Sequence, residues 1–330
     1  MNQQLQRLCE LQAENEAVVR KAAILELEEL AKMGALFYTA KGRTADAEKI
    51  KECKAILKRK TGIFSNFRGY LQYAIQVKMS LETDPEAWLD SVMDIYHKLV
   101  EGRKLPGEIL AMTAITIYEQ GRGQDLDRVI AQTREAYAAI KQAHKFLTDE
   151  TDMSFVALMV LCGKDVNRTI AEVEELYLAL KDRYRMPSDT AQAAALVLAM
   201  SEKPSAQKVE DFVGLFEALK AAKHATSKGK PMSIYAAFAD VEAPRDELVE
   251  EIGEVEAFLK KQKGYGVFSD ADVRRVMAAT LVLQQRETAS ADRNGATAAS
   301  VVSQVLAEEV IMTIIMIIVI SISASSAMHH

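Results

Sequence analysis

An aromatic residue returns about every forty positions, always on the same kind of amphipathic segment. Asp94-Ile95-Tyr96-His97-Lys98-Leu99 sets the pattern. It recurs as Glu135-Ala136-Tyr137-Ala138-Ala139-Ile140, Glu175-Leu176-Tyr177-Leu178-Ala179-Leu180, Leu215-Phe216-Glu217-Ala218-Leu219 and Glu256-Ala257-Phe258-Leu259. From Tyr96 through Tyr137, Tyr177 and Phe216 to Phe258 the steps are 41, 40, 39 and 42 residues. Forty residues earlier, Ile56 lies in Lys54-Ala55-Ile56-Leu57. A period of this length marks stacked helical pairs. An all-α fold of about six antiparallel pairs, solenoid-like, is therefore expected over residues 1–290. Residues 1–44 form its N-terminal capping region, and residues 291–330 a loop followed by an apolar C-terminal helix. An array of this kind grows as one body, because each pair packs only on its neighbours.

Leu5, Leu8 and Leu11, then Val18, Val19, Ala22 and Ala23, step by three and four and predict helix over residues 3–39. Lys41-Gly42-Arg43 interrupts it. Thr44 is expected to cap the next helix, with Asp46 and Glu48 in its first turn. Thr61-Gly62 ends that helix, and Ser65 is expected to open another reaching Leu81. All six prolines, from Pro85 to Pro244, fall at predicted boundaries, where a missing N–H costs no helical hydrogen bond. Each later unit has a lean, small-residue helix, such as Leu110–Ile115, Phe155–Leu158, Ala193–Val197, Ile234–Phe238 or Val276–Leu281. These are expected to be the inner helices. Their partners, carrying the aromatic on one face and charge on the other, are expected outside.

The turn Leu147-Thr148-Asp149-Glu150-Thr151-Asp152 with its apolar helix, the stretch Phe64-Ser65-Asn66-Phe67-Arg68, and the acidic-x-x-Tyr-x-x-Leu helices resemble an uncharacterised bacterial family. That family is number 4003 among the domains of unknown function, and the resemblance spans residues 20–290. It implies a cytoplasmic, all-helical protein of this length, and supplies no activity.

Few motifs carry chemistry. Cys9, Cys53 and Cys162 are odd in number and far apart, which suggests neither a disulfide framework nor a zinc site and fits a reducing compartment. Asp149, Glu150 and Asp152 suit a helix N-terminus better than a calcium loop. His97, His144 and His224 lack ligand spacing. Gly264-Tyr265-Gly266 follows no strand and reads as a helix-ending turn. The chain is thus expected to need no metal or organic cofactor. A net charge of −6 argues against nucleic acid as a partner. Met1 to Glu16 lacks the basic start and apolar core of a secretory signal.

Two features suggest surfaces. The outer helices end in basic residues: Lys58, Arg59 and Lys60; Lys141 and Lys145; Lys181; Lys220 and Lys223; Lys260 and Lys261. Stacked repeats would align them into a basic rim for an anionic partner or lipid, although helix-dipole complementarity alone accounts for such ends. The second is the run from Val310 to Ile320, where Ile311, Ile314, Ile315, Ile318 and Val319 stand among other apolar residues. A helix apolar all round must be buried. It either packs in the fold or a homo-oligomer, or inserts residues 310–328 in a bilayer. The reading is a cytoplasmic, non-enzymatic scaffold that self-associates through this tail, with a protein partner in the groove. The alternatives are a membrane-tethered adaptor and an enzyme with a site between helices.

Overall fold

The computed structural model describes residues 1–22, 28–69, 71–102, 107, 109–121, 123–143, 152–265 and 271–294. Among them are only helices and turns, so the protein is all-α. The helices are α1 (Gln3–Ala22), α2 (Glu28–Ala40), α3 (Ala47–Lys60), α4 (Gln72–Leu81), α5 (Pro85–Val100), α6 (Ile109–Gln120) and α7 (Leu126–Ala143). After them come α8 (Asp152–Leu161), α9 (Val166–Leu178), a π turn (Ala179–Arg183), α10 (Ser188–Leu198) and α11 (Ser205–Ala221). A 3₁₀ helix (Lys230–Asp240), α12 (Arg245–Lys260) and α13 (Ala271–Asn294) complete the order. The described residues fall into two compact units: Asn15–Thr169, and Met1–Glu14 with the chain from Ile170 onward.

In each unit the helices are of two kinds. Across the described residues, α6 is buried continuously from Leu110 to Ile117, and α8 from Asp152 to Met159. Outer helix α5 buries only Trp88, Leu89, Val92, Ile95, Tyr96 and Leu99, at steps of three and four. Hydroxyl bonds at the repeat spacing tie successive inner segments. Tyr38 Oη stands 2.6 Å from Ser80 Oγ, and Thr113 Oγ1 2.8 Å from Ser154 Oγ. In the other unit Ser201 Oγ donates to Asp240 Oδ1 over 2.6 Å. The three separations are 42, 41 and 39 residues, the period of the aromatic. A buried hydroxyl needs a partner, and the equivalent hydroxyl or carboxylate one repeat away supplies it.

Several local expectations are corrected. Asp46, not Thr44, caps α3: its carboxylate accepts from Glu48 N and Lys49 N at 3.0 and 3.1 Å. Residues 62–69 form turns and α4 starts at Gln72, because Ser65 and Asn66 spend their side chains on local and tertiary bonds that compete with helix. The inner segment after Pro231 is a 3₁₀ helix of 11 residues, long for that geometry, and buried from Met232 to Ala239.

Tyr96, Tyr137, Tyr177 and Phe216 are all buried, at 6%, 3%, 4% and 2% exposure. Phe258 is only half-buried. The residue occupying the ring's place is two earlier. Each ring stands three positions before a buried Leu or Ile, namely Leu99, Ile140, Leu180 and Leu219; three before buried Leu259 stands Glu256. Phe216→Ala is therefore expected to cost about 3–5 kcal/mol by chemical denaturation, and Phe258→Ala clearly less.

Candidate functional sites: a closed polar cluster and an exposed apolar tip

A carboxylate in an aromatic's position must find compensation, and Glu256 does so by gathering polar groups from three segments. Helix α11 ends with Lys223 in the left-handed region, φ +67°, and His224 N closes the turn on Leu219 O at 2.8 Å. That geometry is usually given to glycine and costs a side-chain-bearing residue roughly 1–2 kcal/mol. It brings His224 against α12 and Ser227 against α13. His224 Nδ1 then stands 2.7 Å from Glu256 Oε2. Arg274 reaches Glu256 Oε1 at 3.2 Å and Arg275 Nε at 3.4 Å, both from α13. Arg275 also donates to Lys223 O at 3.1 Å.

The same loop is held twice more. Thr226 N donates to Tyr235 Oη at 3.0 Å, and Ser227 N and Oγ both donate to Asp272, the former at 2.9 Å. Tyr235 is fully buried in the 3₁₀ helix; burial pushes its phenol up to about 12, opposed in part by the Thr226 bond. Gly253, one helical turn before Glu256, makes room for the imidazole. A Cβ there would stand 2.8 Å from His224 Nε2. Glycine inside a helix costs about 0.5–1 kcal/mol relative to alanine, and here the close approach of the ring requires it.

The cluster contains the residue types of nucleophilic catalysis in the wrong pairing. Ser227 is bonded to Asp272 and His224 to Glu256, whereas an activated serine must be bonded to the imidazole that takes its proton. The imidazole's far edge rests on Gly253. This arrangement ties a loop to two helices.

The second site is the turn after α3. Ile63 and Phe64 are 72% and 95% exposed, far above every buried aromatic of the repeat. The next residues in the chain hold them outward. Phe67 is buried, its ring edge-on to Tyr96 with centroids 5.1 Å apart. Asn66 Nδ2 donates to Tyr96 Oη at 2.5 Å, and Ser65 N and Arg68 N close successive turns at 3.1 and 2.8 Å. The tip is therefore anchored at its base on the first ring of the repeat.

Of the sequence-predicted residues, Lys58, Arg59, Lys60 and Lys141 lie in one unit and Lys181, Lys220, Lys223, Lys260 and Lys261 in the other. Arg59 pairs with Glu86, and Lys60 with Glu86 and Asp90 at 3.0 and 2.8 Å, at the start of the next outer helix. Lys98 and Asp127 repeat this seam at 2.8 Å. Lys141 and Lys181 lie over the Tyr137 and Tyr177 rings at 5.7 and 5.3 Å, and Lys220 pairs with Glu217 at 3.2 Å. Lys58, Lys223, Lys260 and Lys261 are exposed. His97 is exposed beside Tyr96.

Lys145, His144, Asp149, Glu150 and the tail residues Ile311, Ile314, Ile315, Ile318 and Val319 lie outside the described residues. Among the described residues no helix is long and apolar enough to cross a membrane. Nor, among them, do three His, Cys, Asp or Glu side chains gather as a metal site would require.

Counting aromatics along the sequence passes over Glu256; counting back three from each buried leucine finds it. The tip is passed over in the same way when Thr61-Gly62 is taken simply as a helix end. Two large apolar residues in a turn beside three basic ones are themselves a signal.

Gly253→Ala is expected to displace His224 and destabilise the protein. In a His224→Ala background the same change should stabilise by about 0.5–1 kcal/mol, so a double-mutant cycle in denaturant should show opposite signs. Tyr235 contributes to the alkaline limit, beside the buried Cys9 and Cys53 thiols, which burial also pushes up, to about 12 and about 11. Its folded pKa is raised, so the stability it contributes is complete below the unfolded value near 10 and is lost as pH rises from about 10 to about 12. Unfolding followed against pH should show that loss, and Tyr235→Phe should make it shallower between about pH 10 and 12 while the share of Cys9 and Cys53 persists.

No curated protein and no solved structure matches the chain. Residues 21–324 match the family described as Protein of unknown function (DUF4003), and with nearly the whole chain covered, the protein belongs to that family.

Proposed function

We propose that this protein is a non-enzymatic helical scaffold whose body presents a contact surface to a partner. The observation that carries this reading is the Ile63–Phe64 tip. Scattered exposed apolar residues are ordinary, but two adjacent ones on an anchored turn present a fixed apolar surface to water. A loosely held pair could fold back; this one is fixed by Phe67 and Asn66 against Tyr96.

The polar cluster supports the same reading from the other side. His224, Ser227, Tyr235 and Glu256 each have a partner within the protein. Such a set contributes rigidity, and breaking one member of a buried charged group typically costs about 3–5 kcal/mol.

A photo-crosslinking amino acid placed at Phe64 in living cells tests the proposal, with the exposed α3 position Ala55 as comparison. Specific adducts at 64, to protein or to lipid, and none at 55 are expected. Equal, background labelling at both positions would contradict a contact function for the tip.

A further inference from the structure

We propose that the Ile63–Phe64 tip docks this protein on the surface of an anionic lipid bilayer. The inference rests on the tip being the contact surface and adds what it contacts.

Shape decides first between a protein and a membrane. A stable protein interface buries about 800 Å² on each partner, with aromatic anchors surrounded by a rim that excludes water. The tip is two convex side chains on a turn, with the sequence on either side already committed: Thr61 Oγ1 to Leu57 O at 2.7 Å, Phe67 to Tyr96. Among the described residues no other large apolar side chain of this turn is exposed, so the pair makes a small wedge without a ring of further apolar anchors. A bilayer accepts a wedge of any outline, because its interior is fluid and apolar.

Charge decides second. Residues 47–69 hold Lys49, Lys51, Lys54, Lys58, Arg59, Lys60 and Arg68 against Glu48 and Glu52. Seven positive minus two negative gives +5, in a chain whose total is −6, so the remainder carries −11. Three of the seven, Lys58, Arg59 and Lys60, stand in the three positions before the Thr61-Gly62 break, and Arg68 comes after the tip. Lys58 projects into solvent, while Arg59 and Lys60 share the carboxylates of Glu86 and Asp90. The attraction to anionic headgroups is therefore real but partly offset, as suits a reversible, salt-sensitive contact. Apolar insertion with flanking Lys and Arg is the combination that holds proteins in the bilayer interface.

The direct test is flotation of the full chain with vesicles of phosphatidylcholine containing about a third phosphatidylserine, beside vesicles of phosphatidylcholine alone. Binding to the anionic vesicles is expected, weakened in about 0.5 M salt. Replacing Ile63 and Phe64 by Ser should reduce it about tenfold or more, and Lys58→Glu several-fold. Both changes lie on exposed positions, and unchanged thermal melts will confirm intact folding. The apolar residues 310–328 are present in wild type and variants alike, so equal flotation of the Ser variant would overturn the proposal and place membrane binding elsewhere in the chain. Absence of flotation, or equal binding to neutral vesicles, would overturn it too. If position 64 nevertheless crosslinks to a protein in cells, the contact reading stands and only the bilayer is wrong.

Discussion

A ring buried once per repeat in the outer helices is the interaction on which the other features depend. Tyr96, Tyr137, Tyr177 and Phe216 sit at the same register before a buried Leu or Ile. That repetition fixes which face of each outer helix turns inward, and so which face carries charge. The seams are a consequence: a basic last turn meets the acidic first turn of the next outer helix, as with Lys60 and Glu86 or Lys98 and Asp127. Exposed pairs of this kind contribute at most about 1 kcal/mol each. They set register at the seams; ring and inner-helix burial supply the stability.

The two departures from the repeat are the informative places. At Glu256 the ring is replaced by a carboxylate, and a glycine, a left-handed lysine and two arginines are arranged around it. A buried charge of that kind destabilises unless every partner is present, which is why the loop after α11 is tied so completely. At the first repeat the ring is kept, but its hydroxyl and its edge hold a turn whose tip is apolar and exposed. One departure closes polar groups in; the other pushes apolar groups out.

Much of this is legible from residues. The period, the helical class, the inner and outer roles and Pro85 as a helix start come from spacing and backbone chemistry. The family resemblance stands on short motifs, and the match over residues 21–324 establishes it. The illegible part depends on distance in space. His224 and Glu256 are 32 residues apart, and Ser227 and Asp272 45. No local pattern says that a loop will turn back onto them, since that turn rests on Lys223 adopting a conformation sequence rules give to glycine. Thr44 and Asp46 are both acceptable caps, and only the backbone decides between them. The capping reading of Asp149 and Glu150 and the fate of the apolar run from Val310 fall outside the described residues.

In solution the recurring rings must be shielded while the tip is open to water. Hydroxyl-radical footprinting of the native full chain reads both at once, residue by residue. Strong modification of Phe64 and Ile63, an intermediate level at Phe258, and protection of Tyr96, Tyr137, Tyr177 and Phe216 is the result expected. Protection of Phe64, or modification of the four rings to the level of Phe64, would contradict it.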